Sequence, residues 1–164
     1  MVLTVLTYPD PLLKRESEEI QSVTLEVTAL ITDLKDTMMD SGHSTGIAAP
    51  QVGEAVRLVV ADASRGRKPC ENHGLLVMIN PEIISHEGSS LSREGCMSVP
   101  EFTGNVNRAE KIVVQYYDEE FNMKVIEAQG FEAILLQHEI DHLDGVLFID
   151  RVISRRTDLF RRKR

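Results

Sequence analysis

The sequence predicts an α+β fold, in which mostly antiparallel β-sheets pack around a buried C-terminal helix, with an amphipathic helix near the N-terminus. Segments rich in β-branched residues follow one another without long helical segments between them, which argues against βαβ winding. Helical periodicity is confined to one segment before these strands and one after them. With 164 residues, 42% of them hydrophobic, the chain is long enough to form one core.

The first predicted helix spans about residues 24–41. Its apolar residues recur three and four positions apart, and Gly42 follows as a stop signal. Such spacing gives a helix with one apolar side, which is typical of a helix that covers a core. The residues that carry the pattern are Val23, Val27, Leu30, Ile31, Leu34 and Met38.

Four strands are predicted between the two helices, at about 56–61, 75–80, 111–118 and 123–129. The last two form a hairpin, because a short turn-like segment separates them. We expect the loop 63–74 to be the most mobile excursion from this pattern.

The second predicted helix, 131–143, lies between Gly130 and Gly145 and is apolar on several faces, so it is expected to be buried on most sides. It nevertheless contains the run Gln-His-Glu-Ile-Asp-His at positions 137–142. Burial of these polar groups costs free energy unless partners satisfy them. A metal ion, with the hydrogen bonds around its ligands, would provide such partners.

His138 and His142 stand four residues apart with Glu139 between them, which is the HExxH pattern of metal-dependent hydrolases. On an α-helix the two imidazoles lie about 40° apart around the axis, so both can reach one ion. Glu139 points into the space beside that ion and is suited to proton transfer. Taken alone, the pattern is also compatible with hydrogen-bonded core histidines.

A third metal ligand decides between these interpretations, because catalytic sites of this kind hold the ion by three protein groups. Downstream, Asp144 and Asp150 follow His142 too closely. Upstream, Cys96 lies in the segment Glu-Gly-Cys-Met-Ser, outside any regular periodicity. Cys96 is therefore the better candidate, although a lone cysteine is otherwise a small buried apolar residue.

Small residues dominate a third segment, Thr-Gly-Ile-Ala-Ala-Pro-Gln-Val-Gly at positions 45–53, and they let backbones approach one another closely. Gln51 adds an amide to this otherwise apolar stretch. It is either a donor for a developing oxyanion or an incidental residue of a tight turn.

The charge of the chain is unevenly distributed. The net charge is −8, but residues 155–164 contain six Lys or Arg and one acid, so they carry +5 and the remainder −13. We therefore expect a single catalytic domain, 1–154, and a basic C-terminal tail, 155–164. The acidic body argues against DNA binding, whereas the tail is either a solvated chain end or a contact to RNA such as that of the ribosome.

The cysteine content and the hydropathy indicate the cellular setting. Two cysteines are too few for a disulfide framework, charges interrupt every apolar stretch, and the first residues do not have the pattern of a signal peptide. We therefore expect no membrane association and a location in a reducing cytoplasm.

The three segments together resemble the peptide deformylase family, whose members carry a GxGxAAxQ loop, an EGCxS loop and a QHExDH helix in this order. Here they stand as STGIAAPQ, EGCMS and QHEIDH, and the resemblance extends over about residues 3–151. It implies hydrolysis of the N-formyl group from formyl-methionine at the N-terminus of nascent polypeptides, with release of formate. This is a step of N-terminal processing during protein biosynthesis in the bacterial cytoplasm.

The resemblance also implies roles for single residues. Cys96, His138 and His142 would hold one divalent ion, Fe(II) by preference, with Zn(II), Ni(II) or Co(II) as substitutes. Glu139 would be the general acid/base, and Gln51 and the backbone N–H of Met97 would polarise the formyl oxygen. The remaining implied contacts are a pocket for the methionine side chain and a pair, Glu94 with Arg108, that braces the cysteine loop. The pocket residues are Gly46, Ile47, Phe131, Ile134, Leu135 and His138.

Two positions depart from the family pattern. Ser44 stands where the first loop usually has its leading glycine, and Thr103 stands where some members have an arginine near the bound peptide. Both departures concern peptide binding and leave the metal ligands unchanged.

Two other functions compete with deformylation: a general HExxH metallopeptidase, and a metal-stabilised module that docks on RNA through the basic tail.

Overall fold

The computed structural model describes residues 1–162 and contains both helices and antiparallel strands. The helices are α1 (Leu25–Asp40), α2 (Gly130–Leu143) and α3 (Phe148–Arg151). The strands are β1 (Gly46–Ala48), β2 (Leu58–Asp62), β3 (Leu75–Glu87), β4 (Ser90–Cys96), β5 (Val99–Arg108), β6 (Lys111–Tyr117), β7 (Met123–Gln129) and β8 (Leu159–Arg161). Short 3-10 helices lie at Pro11–Lys14, Ala49–Val52 and Ala63–Arg65.

Two antiparallel sheets form the frame of the molecule. The larger sheet has the strand order β1-β2-β3-β6-β7, and the smaller has the order β4-β5-β8. β1 and β4 are edge strands of their respective sheets. The predicted hairpin is β6–β7, in which Lys111 pairs with Gln129 and Tyr117 with Met123.

The N-terminal helix α1 packs on β1 and β2. Thr24 caps it by accepting a hydrogen bond from Val27 N, and the helix ends at Asp40, close to the predicted bounds 24–41. Ile31, Leu34 and Met38 are buried in a cluster with the side chains of β2 and β3. Half of the predicted apolar pattern is thus fully buried, and Val23, Val27 and Leu30 lie at the margin of the same cluster.

The second helix, α2, lies across the opposite side of the larger sheet. Ala133, Leu136, Ile140 and Leu143 pack there with residues of β2, β3 and β6. The chain leaves the helix through Gly145, which has a φ of 73° and lies against the backbone of Lys14. A side chain at Gly145 would collide with that backbone, so the stop signal expected from the sequence also allows a close approach of two segments.

The hairpin β4–β5 was not among the predicted strands. The segment containing Cys96 was expected outside regular structure, but Cys96 is the last residue of β4 and pairs with Val99 across the turn formed by Met97 and Ser98. β3 also continues seven residues beyond the predicted end at Asn80. The hairpin matters for the site, because it fixes the position of Cys96.

The basic C-terminal segment is partly structured. Leu159–Arg161 forms β8 and pairs with Phe102–Gly104 of β5. Within the described part of the segment, these three residues are therefore attached to the smaller sheet, although the boundary predicted at residue 154 stays a prediction. None of the helices between residues 1 and 162 combines the length and apolar character needed to cross a membrane.

Candidate metal centre and active site

Cys96, His138 and His142 come together between the smaller sheet and α2. One ligand atom from each of the three side chains lies within 4.8 Å of the others. Cys96 Sγ lies 3.4 Å from His142 Nε2, and the two imidazole centroids are 5.2 Å apart. The structure thus groups the three residues that the sequence suggested as metal ligands, although Cys96 lies at the end of β4 and the two histidines lie on α2.

The orientation of His138 is fixed by Glu94. His138 Nδ1 lies 2.8 Å from Glu94 Oε1, which leaves Nε2 of the same ring for coordination. A carboxylate behind a histidine ligand is a frequent arrangement at metal sites, because it sets the tautomer and the direction of the ring.

A chain of charged side chains supports Glu94. Arg108 donates hydrogen bonds to both carboxylate oxygens of Glu94, at 2.7 and 2.8 Å, and to Asp141 Oδ2 at 2.7 Å. Asp141 also accepts two hydrogen bonds from Arg151 of α3. The ion pair of Glu94 and Arg108 agrees with the expectation from the resemblance. The connection from Asp141 to Arg151 was not foreseen, because no local pattern links α2 to α3.

The charges around the histidines are consistent with a cation at the centre. Burial raises the pKa of Glu94, but hydrogen bonds from Arg108 and His138 outweigh burial and bring this pKa to about 2. Burial opposes the charge on His138, yet contacts with Cys96 and Glu94 raise the pKa of His138. Burial, reinforced by the nearby charge of His138, lowers the pKa of His142 and keeps that ring neutral. A bound cation can replace the proton that Cys96 and Glu94 favour on His138.

Glu139 lies in a buried position beside the three candidate ligands. Its Oε1 has no hydrogen-bond partner within residues 1–162. Burial raises the pKa of Glu139 to about 7, and the positive charge of a bound ion would lower it again. The backbone of β1 passes so close that a Cβ on Gly46 would lie 2.7 Å from Glu139 Oε2.

The amide of Gln51 points toward the same centre. Its Oε1 accepts a hydrogen bond from Ala48 N at 2.9 Å, which fixes the amide so that Nε2 is the donor. Nε2 lies 3.0 Å from Ser98 Oγ and 3.5 Å from Cys96 Sγ. Because Gln51 lies in the 3-10 helix after β1, its Nε2 donor points to Cys96. Ser98, which belongs to the EGCMS segment but was given no role from the sequence, completes this arrangement.

The residues expected to form the methionine pocket lie on β1 and on the first turns of α2, which are in contact. Ile47 and Leu135 are buried, Ile134 is half-buried, and Phe131 is 38% exposed. Gly66, from the loop 63–74, approaches the ring of Phe131. The structure thus brings these residues to one side of the centre, and their contact with a substrate stays a prediction.

The two departures from the family pattern have distinct surroundings. Ser44 Oγ donates to Gly46 O at 2.8 Å, and Ser44 O accepts a hydrogen bond from Arg65 at 2.9 Å. Thr103 Oγ1 accepts a hydrogen bond from Arg93 at 3.0 Å. The Ser44 contact ties the start of β1 to the loop 63–74, and the Thr103 contact lies on the smaller sheet beside Cys96.

Three candidate metal ligands, a buried carboxylate and an oriented amide meet at one centre, as expected for a metal-dependent hydrolase. The family model described as polypeptide deformylase matches residues 2–158. The chain belongs to the peptide deformylase family. It is therefore a metal-dependent hydrolase that removes the N-formyl group from formyl-methionine termini of nascent polypeptides.

Individual relatives support the same family. The peptide deformylase of Thermodesulfovibrio yellowstonii is 43% identical over 99% of this chain and 96% of its own length. A structure of the Ehrlichia chaffeensis enzyme in complex with actinonin is 36% identical, covering 94% of this chain and 91% of that one, with a TM-score of 0.87. The Acinetobacter baumannii enzyme bound to Met-Ala-Ser is 33% identical over 93% of this chain and 99% of that one, with a TM-score of 0.85.

Proposed function

We propose that Glu139, Gln51 and the backbone N–H of Met97 carry out the deformylation at an ion held by Cys96, His138 and His142. The observation that supports this assignment is the convergence of Gln51, Cys96 and the two histidines of α2 on one point, with an unpaired Glu139 oxygen beside it among the described residues. A structural metal site needs neither a neighbouring free carboxylate nor an aimed amide, and it would close its fourth position.

Glu139 is the group that moves protons in this proposal. Its free Oε1 accepts a proton from the attacking water, and the same carboxylate then gives that proton to the amine that leaves when the C–N bond of the formamide breaks. Gly46 lies against the carboxylate on one side and restricts its movement there, which suits a group that must face both water and substrate.

Gln51 and Met97 stabilise the negative charge that develops on the formyl oxygen. Gln51 Nε2 is held near Cys96 by the hydrogen bond between its Oε1 and Ala48 N. Met97 follows Cys96 in the β4–β5 turn, so its backbone N–H lies next to the ligand. Donors that are already oriented stabilise an oxyanion at little cost in reorganisation.

The ion itself is proposed to be Fe(II), with Zn(II), Ni(II) and Co(II) as substitutes. A bound divalent ion supplies Lewis-acid activation of water and of the formyl group. One thiolate and two imidazoles suit each of these metals, so the donor set alone does not select among them. A thiolate ligand next to a redox-active ion also makes oxidation the expected route to inactivation.

The substrate is proposed to bind with its methionine side chain among Gly46, Ile47, Phe131, Ile134 and Leu135. β1 and β4 are edge strands beside the centre and can present backbone groups to an extended peptide, as in strand addition. The Acinetobacter baumannii enzyme binds Met-Ala-Ser, a peptide that begins with methionine. The requirement for a formyl-methionine terminus distinguishes this proposal from a general metallopeptidase, which cleaves internal bonds.

The basic C-terminal segment is proposed to contact the ribosome transiently in a bacterial cytoplasm. Arg155, Arg156 and Arg161 are exposed, and β8 holds the segment on the smaller sheet. Cationic side chains on a fixed strand can pair with RNA phosphates, and such contacts weaken as salt increases. Removal of residues 155–164 should then reduce ribosome binding while formate release from short peptides continues.

The test of the main proposal is formate release from formyl-Met-Ala-Ser by protein purified without oxygen and loaded separately with Fe(II), Ni(II), Co(II) and Zn(II). We expect release with a divalent ion, highest with Fe(II), and loss of release with a chelator. Acetyl-Met-Ala-Ser is the matched control peptide and should not be hydrolysed at a comparable rate. Absence of release with every ion, despite one ion bound per chain, would contradict the proposal.

A further inference from the structure

The outer face of the smaller sheet carries side chains that the proposed mechanism does not use. Arg93 and Gly95 are exposed on β4, whereas Glu94 between them points inward to His138 and Arg108. Thr103 of β5 and Phe160 of β8 are paired neighbours. Side chains alternate along a strand, so Arg93, Gly95, Thr103 and Phe160 share one face. We call this surface the outer face.

Arg93 is held in place on the outer face by two contacts. Its guanidinium carbon lies 3.7 Å from the centroid of the Phe160 ring, and its Nε donates to Thr103 Oγ1. The Phe160 ring covers one face of the planar guanidinium group, and Thr103 uses one of its N–H donors. Thr103 therefore serves as an acceptor for Arg93 within the sheet.

A second guanidinium, from Arg162, lies over Gly95. The backbone N of Arg162 donates to Glu101 O at 2.7 Å, which extends the β5–β8 pairing by one residue. The end of the Arg162 side chain lies 2.5 Å from where a Cβ of Gly95 would be, and Thr103 Cγ2 lies 3.4 Å from the same point. The C-terminal strand thus places a cation on the outer face, directly over Gly95.

This cation is close to the metal centre. Gly95 directly precedes Cys96, and consecutive Cα atoms are about 3.8 Å apart. The guanidinium of Arg162 is therefore within roughly 8 Å of the Cys96 backbone, a span of two to three extended residues. A peptide that has its formyl group at the centre and runs along the edge of β4 passes beside Arg162.

Alternation also decides which peptide residue meets Arg162. In an extended peptide, neighbouring side chains point to opposite faces. If the methionine side chain enters the buried pocket between β1 and α2, the next side chain points outward, to the side of Gly95 and Arg162. Guanidinium groups bind carboxylates by charge-assisted hydrogen bonds.

We propose that Arg162 is a specificity-determining residue, which contacts the side chain after formyl-methionine and favours a carboxylate there. This inference rests on the proposed function, because it uses the direction of the peptide at the metal centre. It assigns a role in substrate selection to the structured part of the basic C-terminal segment.

The test compares two peptides of nearly equal shape, formyl-Met-Glu-Ser and formyl-Met-Gln-Ser, at low ionic strength. For an exposed ion pair we expect kcat/KM to be about two- to fivefold higher for the Glu peptide, mainly through KM. The ratio should fall to about one in Arg162→Gln, persist in Arg162→Lys, and invert in Arg162→Glu. Added salt should reduce the ratio in the unsubstituted enzyme.

Arg161→Gln is the matched control, since it removes the same charge from the neighbouring position, and the peptide ratio should stay unchanged. Equal kcat/KM for the two peptides in the active unsubstituted enzyme would overturn the proposal, and so would a preference that survives in Arg162→Gln. Failure of the enzyme to release formate from either peptide would instead count against the proposed function.

Discussion

Gly46 and Glu139 are in direct contact across the active site. A Cβ at position 46 would lie 2.7 Å from Glu139 Oε2 and 2.9 Å from Cγ of the same side chain, which is closer than such atoms can approach. The backbone of β1 thus limits the space available to the Glu139 carboxylate on one side. This contact explains why the small-residue segment contains a glycine at this position.

Gly46→Ala should lower kcat, because the added methyl group displaces Glu139 from the metal centre. A displacement of about 1 Å in a catalytic group costs on the order of a hundredfold in rate. We expect the metal content to stay at one ion per chain, since the three atoms nearest to the added methyl group all belong to Glu139. Steady-state formate release and metal analysis measure the two effects, and unchanged kcat would contradict a positioning role for Gly46.

Glu139→Gln should abolish most of the turnover while retaining the metal. The amide is nearly isosteric with the carboxylate but cannot accept and return a proton, and general acid–base catalysis contributes about a hundredfold to ten-thousandfold in rate. Glu120→Gln is the matched control, because Glu120 lies exposed in the β6–β7 turn. Full activity of Glu139→Gln would remove Glu139 from the mechanism.

Cys96→Asp should replace the thiolate in the metal centre by a carboxylate. With Co(II) bound, the near-ultraviolet absorption from sulfur to cobalt should disappear, and activity should fall even where one ion still binds. Cys70→Ser is the control, since Cys70 lies in the loop 63–74 and should leave the spectrum unchanged. A Co(II) spectrum of Cys96→Asp identical to that of the unsubstituted enzyme would show that Cys96 is not coordinated.

Peroxide should inactivate the Fe(II) enzyme through the metal and Cys96. Cys70→Ser should be inactivated at the same rate as the unsubstituted enzyme, because Cys70 does not belong to the centre. Residual formate release over time, with the oxidised residue located by mass spectrometry, measures this. Protection by Cys70→Ser would place the sensitive thiol at position 70 instead.

The helices could be predicted from the sequence because their signals are local. The apolar spacing in 24–41 and the glycines around 131–143 lie within the segments that they define. The HExxH pattern is local in the same sense, since His138 and His142 occupy one helix. These features therefore needed no knowledge of tertiary contacts.

The hairpin that carries Cys96 could not be predicted in this way. Ser92, Arg93 and Glu94 are polar at successive positions, so the apolar alternation of a strand is absent. The position of Glu94 inside the molecule is set by Arg108 and His138, which lie 14 and 44 residues away. The family resemblance supplied the pair of Glu94 and Arg108, but nothing in the sequence indicated that Arg151 joins them through Asp141.

Arg151→Met should weaken metal binding, although Arg151 does not touch the ligands. Arg151 holds Asp141, Asp141 holds Arg108, and Arg108 holds Glu94 behind His138. Loss of partners that orient metal ligands typically costs about tenfold to a hundredfold in metal affinity. We therefore expect chelator competition to show a weaker Zn(II) complex, while kcat of the fully loaded enzyme changes little.

Arg155→Met is the matched control for this chain of contacts. Arg155 lies four residues further along and pairs with Asp150 at 3.8 Å. The Asp150 carboxylate also pairs with Lys14, and it is not part of the contacts that join Asp141, Arg108 and Glu94. Its substitution removes one guanidinium from the same region without loosening Asp141, so metal affinity should stay as in the unsubstituted enzyme. Equal affinities in Arg151→Met and Arg155→Met would mean that Arg108 keeps Glu94 and His138 in position without support from α3.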